Sequence, residues 1–206
     1  MGSPTPSTFV LAAANSSIEN VRILCPQTGT TTNAAQVTVT AAGCMIRANQ
    51  FQGSSSATAL ATTCISLSAA ANDCQVLENT GFTITGTPTS WLSTTGTVAA
   101  SRVSIQRNLI RFLLSATTGG VIDYTSGSGT AGVDWLIADN NLSNLTAAST
   151  VAIKGVASTT GHVVFNFLET LAASAATAIT TPGNVVMFQN QLAQQGKQGI
   201  ATTVGG

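Results

Sequence analysis

The sequence predicts an all-β chain wound as a single-stranded, right-handed parallel β-helix of about six coils. Three observations predict it. An Asn-centred segment recurs at Asn49, Asn79, Asn108, Asn140, Asn166 and Asn190, so that successive copies lie 30, 29, 32, 26 and 24 residues apart. Apolar residues within each copy keep a period of two, the mark of a strand with one buried face. No segment carries the 3.6-residue periodicity of an amphipathic helix, and the residues that usually coat helices are nearly missing: three Glu and two Lys in 206 residues.

The copies stack into columns. Five residues before the asparagine stand Cys44, Cys74, Val103, Trp135, Gly161 and Val185. Three before it stand Ile46, Val76, Ile105, Ile137, Val163 and Met187, and two after it Phe51, Ile110, Leu142, Leu168 and Leu192, with Phe82 filling that place after one extra residue. The strand is expected to end at the asparagine, a residue that tolerates the left-handed conformation and lets the chain turn. A second strand follows at 58–62, 90–93, 120–124, 150–154 and 177–180, and a third precedes the repeat at 36–40 and 64–67. An antiparallel sandwich also consists of many short strands, but it has no reason to align residue types in columns. Residues 1–20 lack the repeat and read as an amino-terminal arm or cap, 21–192 as the β-helix, and 193–206 as a carboxyl-terminal tail.

Composition narrows the function. Only 7% of residues are charged, and seven basic residues balance seven acidic ones. So neutral a chain has no means of neutralising many phosphates, which argues against a nucleic-acid partner, and no basic helix for a membrane surface. No 18-residue apolar run suggests a membrane span. The opening MGSPTPSTFV has neither the basic nor the apolar region of a secretory signal, so either the chain is not exported by that route or a signal was removed before this numbering, and the opening Met favours the first. The surface is built from Ser, Thr, Asn and Ala.

The repeat, of the type Ile-x-x-Asn-x-Phe over residues 44–192, resembles that of the parallel β-helix proteins grouped with pectate lyases and phage tailspikes. With its Ala/Thr/Gly-rich coils and no signal peptide, the chain looks most like a phage capsid decoration protein, of the cement or head-fibre kind. That resemblance implies a non-enzymatic virion protein on the capsid exterior, a homotrimer whose partners are its own copies and the major capsid protein, without nucleic acid, membrane or cofactor.

Residue chemistry points the same way. The six asparagines are expected to form a structural ladder, each amide offering donors and an acceptor to the coils above and below. The residue before each asparagine gives Ala48, Glu78, Arg107, Asp139, Phe165 and Gln189, whose acid–base–acid run at 78, 107 and 139 suits a charge ladder better than a catalytic pair. The seven acids are scattered, and His162 is the only histidine, so neither a two-carboxylate site nor a metal site is expected. Cys44 and Cys74 share a column, within disulfide reach by distance, but read as small apolar filler. Gly127–Gly132 matches a dinucleotide-binding glycine pattern without the helix it requires, and reads as a turn.

Two other functions have residues behind them. Trp91, Tyr124 and Trp135 are the only large amphipathic rings that could stack on sugars, as a carbohydrate-binding or carbohydrate-cleaving spike requires. Thr-x-Thr pairs at 38/40, 83/85 and 85/87 would suit ice binding, but they fall at different offsets from their asparagines. The outward positions of the repeat strand turn apolar toward the carboxyl end. Leu136, Val164, Val186 and Phe188 form the face expected to be buried in a trimer.

Overall fold

The computed structural model describes residues 9–24, 33–52, 61–82, 90–95, 99–112, 120–125, 132–144, 152–156, 158–170, 178–180, 184–194 and 197–200. Every regular element among them is a strand. Sheet A stacks β1 (Phe9–Leu11), β4 (Asn33–Val39), β7 (Ala61–Ser68), β10 (Ser90–Thr95), β13 (Ile122–Asp123), β16 (Ile153–Lys154) and β19 (Ile179–Thr180). Sheet B stacks β2 (Ser17–Glu19), β5 (Met45–Arg47), β8 (Gln75–Leu77), β11 (Ser104–Gln106), β14 (Trp135–Ala138), β17 (Thr160–Val164) and β20 (Asn184–Phe188). Sheet C stacks β3 (Arg22–Leu24), β6 (Gln50–Gln52), β9 (Thr80–Phe82), β12 (Leu109–Phe112), β15 (Asn141–Asn144), β18 (Phe167–Thr170) and β21 (Gln191–Gln194), and ends on β22 (Lys197–Ile200). All neighbours pair in parallel except β21 and β22. The chain is a parallel β-solenoid, three strands to a rung, and its seven rungs at the normal strand spacing stand on the order of 30 Å tall.

Two kinds of corner bend the chain between sheets. The first lies between sheets A and B, where Asn15, Gly43, Asp73, Arg102 and Asp134 hold φ between 54° and 70°. The second lies between sheets B and C, at Asn20, Ala48, Glu78, Arg107, Asp139, Phe165 and Gln189, with φ between 48° and 57°. The left-handed residue is therefore the one before each ladder asparagine, not the asparagine itself. That single residue splits the repeat into two strands on different sheets, so the third sheet is the continuation after the asparagine. The strands expected at 58–62 and at 64–67 are one strand, β7, of which residues 58–60 lie outside the described residues.

The ends also differ from expectation. Phe9–Leu11 and Ser17–Glu19, within the segment expected to be an arm, pair with β4 and β5 and form the first rung. That rung escapes a search for asparagine because Val21 takes the ladder position, pairing its N–H with Asn49 Oδ1. At the other end β22 lies in the segment expected to be a tail and pairs with β21.

Inside, columns of branched side chains fill the core. Ile18, Ile46, Val76, Ile105, Ile137 and Val163 line sheet B, and Val37, Ile65, Leu92, Ile122, Ile153 and Ile179 line sheet A. Sheet C keeps strict register, so Gly81 rather than Phe82 follows Phe51 inward, and Phe82 stays exposed. Trp91 meets the Phe51 ring edge-on, at 6.2 Å between centroids, and supplies bulk there. Higher up, Tyr124 and Trp135 pack at 5.1 Å. Gly161 has φ 136°, and a Cβ there would strike the Trp135 backbone, so only glycine allows the two rungs to close at that corner.

Candidate assembly face and its supporting ladder

The asparagine ladder runs through the corner between sheets B and C and fixes the stacking of the rungs. Asn49 Oδ1 accepts the Val21 N–H, and each Oδ1 above it accepts two hydrogen bonds from the asparagine one rung below, one from its backbone N–H and one from its Nδ2. For Asn108 these come from Asn79 at 2.9 and 3.0 Å. For Asn140 they come from Asn108 at 3.0 and 2.9 Å, and the pattern repeats at Asn79, Asn166 and Asn190. Each Nδ2 also donates downward to a strand carbonyl of the rung below, as Asn49 does to Ile18, Asn108 to Val76 and Asn190 to Val163. All six side chains are buried. The turn N–H and carbonyl groups that a parallel sheet would leave unmet are thereby satisfied.

The outer face of sheet B carries two columns in register. One runs Ser17, Met45, Gln75, Ser104, Leu136, His162 and Val186; the other runs Glu19, Arg47, Leu77, Gln106, Ala138, Val164 and Phe188. Polar and charged residues dominate the lower rungs, where Met45 and Leu77 are the apolar members. From β14 upward no charged residue remains in either column. Leu136 and Val164 are half-buried, while Val186 is 57% and Phe188 54% exposed. Phe165 extends this surface around the corner, its ring meeting Phe188 at 5.7 Å and 90°. It is 48% exposed and holds φ 55°, a conformation that bulky side chains rarely adopt. The sequence gives Phe165 a place among the corner residues; only the structure puts its ring against Phe188.

Four of the charged residues, Asp73, Glu78, Arg102 and Arg107, sit at corners and form ion pairs there. Glu78 is bracketed by Arg47 Nε at 3.0 Å and Arg107 Nη2 at 3.1 Å. Hydrogen bonds from both arginines hold its carboxyl below the usual range. Asp73 pairs with Arg102 at the other corner. The run expected from Glu78 through Arg107 to Asp139 thus closes at its first step and recruits Arg47 instead. These exposed pairs add register more than stability.

Other candidate chemistry is not assembled. Trp91, Tyr124 and Trp135 are all fully buried, with Trp135 Nε1 donating to the Ala100 carbonyl at 2.7 Å. None can stack on a sugar, which corrects the expectation that these rings are available to one. Thr38 shares an outward column with Ser66 and Ser93, but Ser66 is buried and its hydroxyl bonds Thr95 at 3.2 Å; Thr83, Thr85 and Thr87 lie outside the described residues, as do Gly127–Ala131 of the glycine-rich segment. Among the described residues no three His, Cys, Asp or Glu side chains gather to hold a metal.

Cys44, Cys64 and Cys74 are buried free thiols. Cys44 and Cys74 are rung neighbours, and their sulfurs donate to the carbonyls of Ala13 and Ala41. Burial pushes the Cys74 thiol up from 9.0 to about 11. The thiolate is therefore disfavoured in the fold, so stability is full below pH 9 and declines as pH rises toward 11. A Cys74→Ala variant should show a shallower decline in denaturation midpoints over that interval. Burial raises Tyr124 as well, so part of the loss persists in the variant.

Comparison with protein-family models, with curated proteins and with solved structures finds no match. Fold and surface together define the chain as a parallel β-solenoid with an internal asparagine ladder and, on its last three rungs, an outer face without Asp, Glu, Lys or Arg on which Leu136, Val164, Val186 and Phe188 surround His162.

Proposed function

We propose that this protein is a non-enzymatic structural component of a virion, a homotrimer that decorates or cements a phage capsid from outside. The observation that carries this reading is the upper half of the sheet B face. An exposed surface of Val186, Phe188 and Phe165, continuous with Val164 and joined to Leu136 across His162, with no Asp, Glu, Lys or Arg in its columns, would be costly on a solitary chain. Three parallel rods placing that face toward a common axis would bury it in a closed ring. The low charge and the hydroxyl-rich surface suit a protein that lies against a shell, held by buried area and a polar rim. The burial of Trp91, Tyr124 and Trp135 leaves the sugar-binding alternative without its rings.

The reading assigns the major capsid protein as the second partner, and no nucleic acid or membrane. Particles assembled without this chain should lose integrity at lower temperature or on dilution into low salt, and adding the purified protein back should restore them. Shells of equal stability with and without it would overturn the cementing role.

A further inference from the structure

Two of the buried thiols lie opposite each other on neighbouring rungs. Cys44 and Cys74 directly precede β5 and β8, whose register sets Met45 opposite Gln75, and the Gln75 N–H donates to the Cys44 carbonyl at 2.9 Å. One step back along that register, the two cysteines are partners. Partners in a parallel pair point to the same side, with Cα atoms about 4.8 Å apart, inside the roughly 4.4–6.8 Å that a disulfide bridges. The Cys74 sulfur already reaches down to the rung that holds Cys44, donating to the Ala41 carbonyl at 3.6 Å. The Cys44 thiol is close enough to act on the Cys74 thiol by hydrogen bond and charge. No higher rung carries sulfur at this place, where the column continues as Val103, Trp135, Gly161 and Val185.

We propose that Cys44 and Cys74 form a redox-sensitive pair, two thiols in a reducing medium and a disulfide between neighbouring rungs in an oxidising one. The oxidant is a small-molecule disulfide. One cysteine thiolate attacks it, which forms a mixed disulfide and releases one thiolate. The other cysteine thiolate then attacks the mixed disulfide at the cysteine sulfur, and the second small thiolate leaves. The pair gives up two protons and two electrons, and the small disulfide takes them up as two thiols. Closing the bond turns the sulfurs away from the carbonyls of Ala13 and Ala42, and of Ala41 and Asn72, with which they make only weak bonds of 3.5 to 3.8 Å. Burial of both sulfurs and the raised Cys74 thiol, at about 11, slow the exchange at neutral pH. The bond therefore forms through local opening of the rung, under lasting oxidising conditions. Once made, it closes one complete rung of chain into a loop and so restricts the unfolded state. This inference stands independently of the virion reading.

The test uses the full chain and a full-length double variant, Cys25→Ser with Cys64→Ala, that keeps only this pair. Cys25 lies outside the described residues, and Cys64 belongs to sheet A. Each protein is equilibrated with oxidised glutathione at a denaturant concentration just below its unfolding midpoint, where local opening admits the reagent, and is then returned to buffer. By mass spectrometry the double variant should be two hydrogens lighter and free of glutathione adducts, and on a non-reducing denaturing gel it should run as a single chain. Its thermal midpoint should exceed that of the same protein reduced with dithiothreitol by roughly 5–10 °C. Fragment mapping of the full chain should join Cys44 to Cys74. Two free thiols, glutathione adducts or cross-linked chains as the main product would overturn the proposal. So would an oxidised midpoint equal to or below the reduced one, or a full chain that joins either cysteine to Cys25 or Cys64 instead.

Discussion

Replacing Asn108 with leucine is expected to destabilise the fold more than any other single surface-neutral substitution. The side chain is buried and takes part in four side-chain hydrogen bonds: two accepted from Asn79, and two donated by its Nδ2 to Val76 O and Asn140 Oδ1. Leucine fills a similar volume but leaves the Asn79 N–H and Nδ2 without their acceptor in the middle of the stack. A buried donor left unmet costs about 1–3 kcal/mol, so the loss should reach about 3–5 kcal/mol in equilibrium denaturation. Position 21 offers no counterpart, because Val21 is already apolar and gives only its N–H to the ladder. A loss below about 1 kcal/mol for Asn108→Leu would show that the columns of branched core residues set the register without the ladder.

The second large effect concerns assembly. Under the proposed trimeric assembly, Phe188→Asp, alone or with Val186→Asp, should give monomers or aggregates. Both residues lie on the outer face of β20, more than half exposed in the isolated chain, and a charge placed in a desolvated interface costs several kcal/mol per subunit. Gln75→Asp provides the control. Gln75 is exposed two rungs below Leu136 in the same column, and its substitution should leave the association state unchanged. If both substitutions act alike, the apolar half of the face has no special part in assembly.

How much of this was legible in the sequence follows from what each rung repeats. The period-2 columns and the recurrent asparagines suffice for a parallel solenoid, because the same buried position demands the same residue type in each rung. The first rung is hidden from a search for asparagine, since Val21 stands at its ladder position instead. The corner was misplaced by one residue. Ala48, Glu78, Arg107, Asp139, Phe165 and Gln189 have no shared chemistry, so nothing in their identity marks a left-handed turn; the ladder bonds of the following asparagine impose it. Phe82 was set inward on its apolar character, whereas register gives that place to Gly81. Trp91 and Tyr124 were offered to solvent on the same kind of local reasoning. Their burial depends on room made across the core, such as that left by Gly155 beside the Tyr124 ring, which no single segment reveals.

Assembly is the claim on which the functional proposal depends, and the mass of the purified protein in dilute solution tests it most directly. Size-exclusion chromatography with light scattering should give three times 20.7 kDa, about 62 kDa, for the wild-type chain. A single species of 20.7 kDa would contradict an intrinsic trimer.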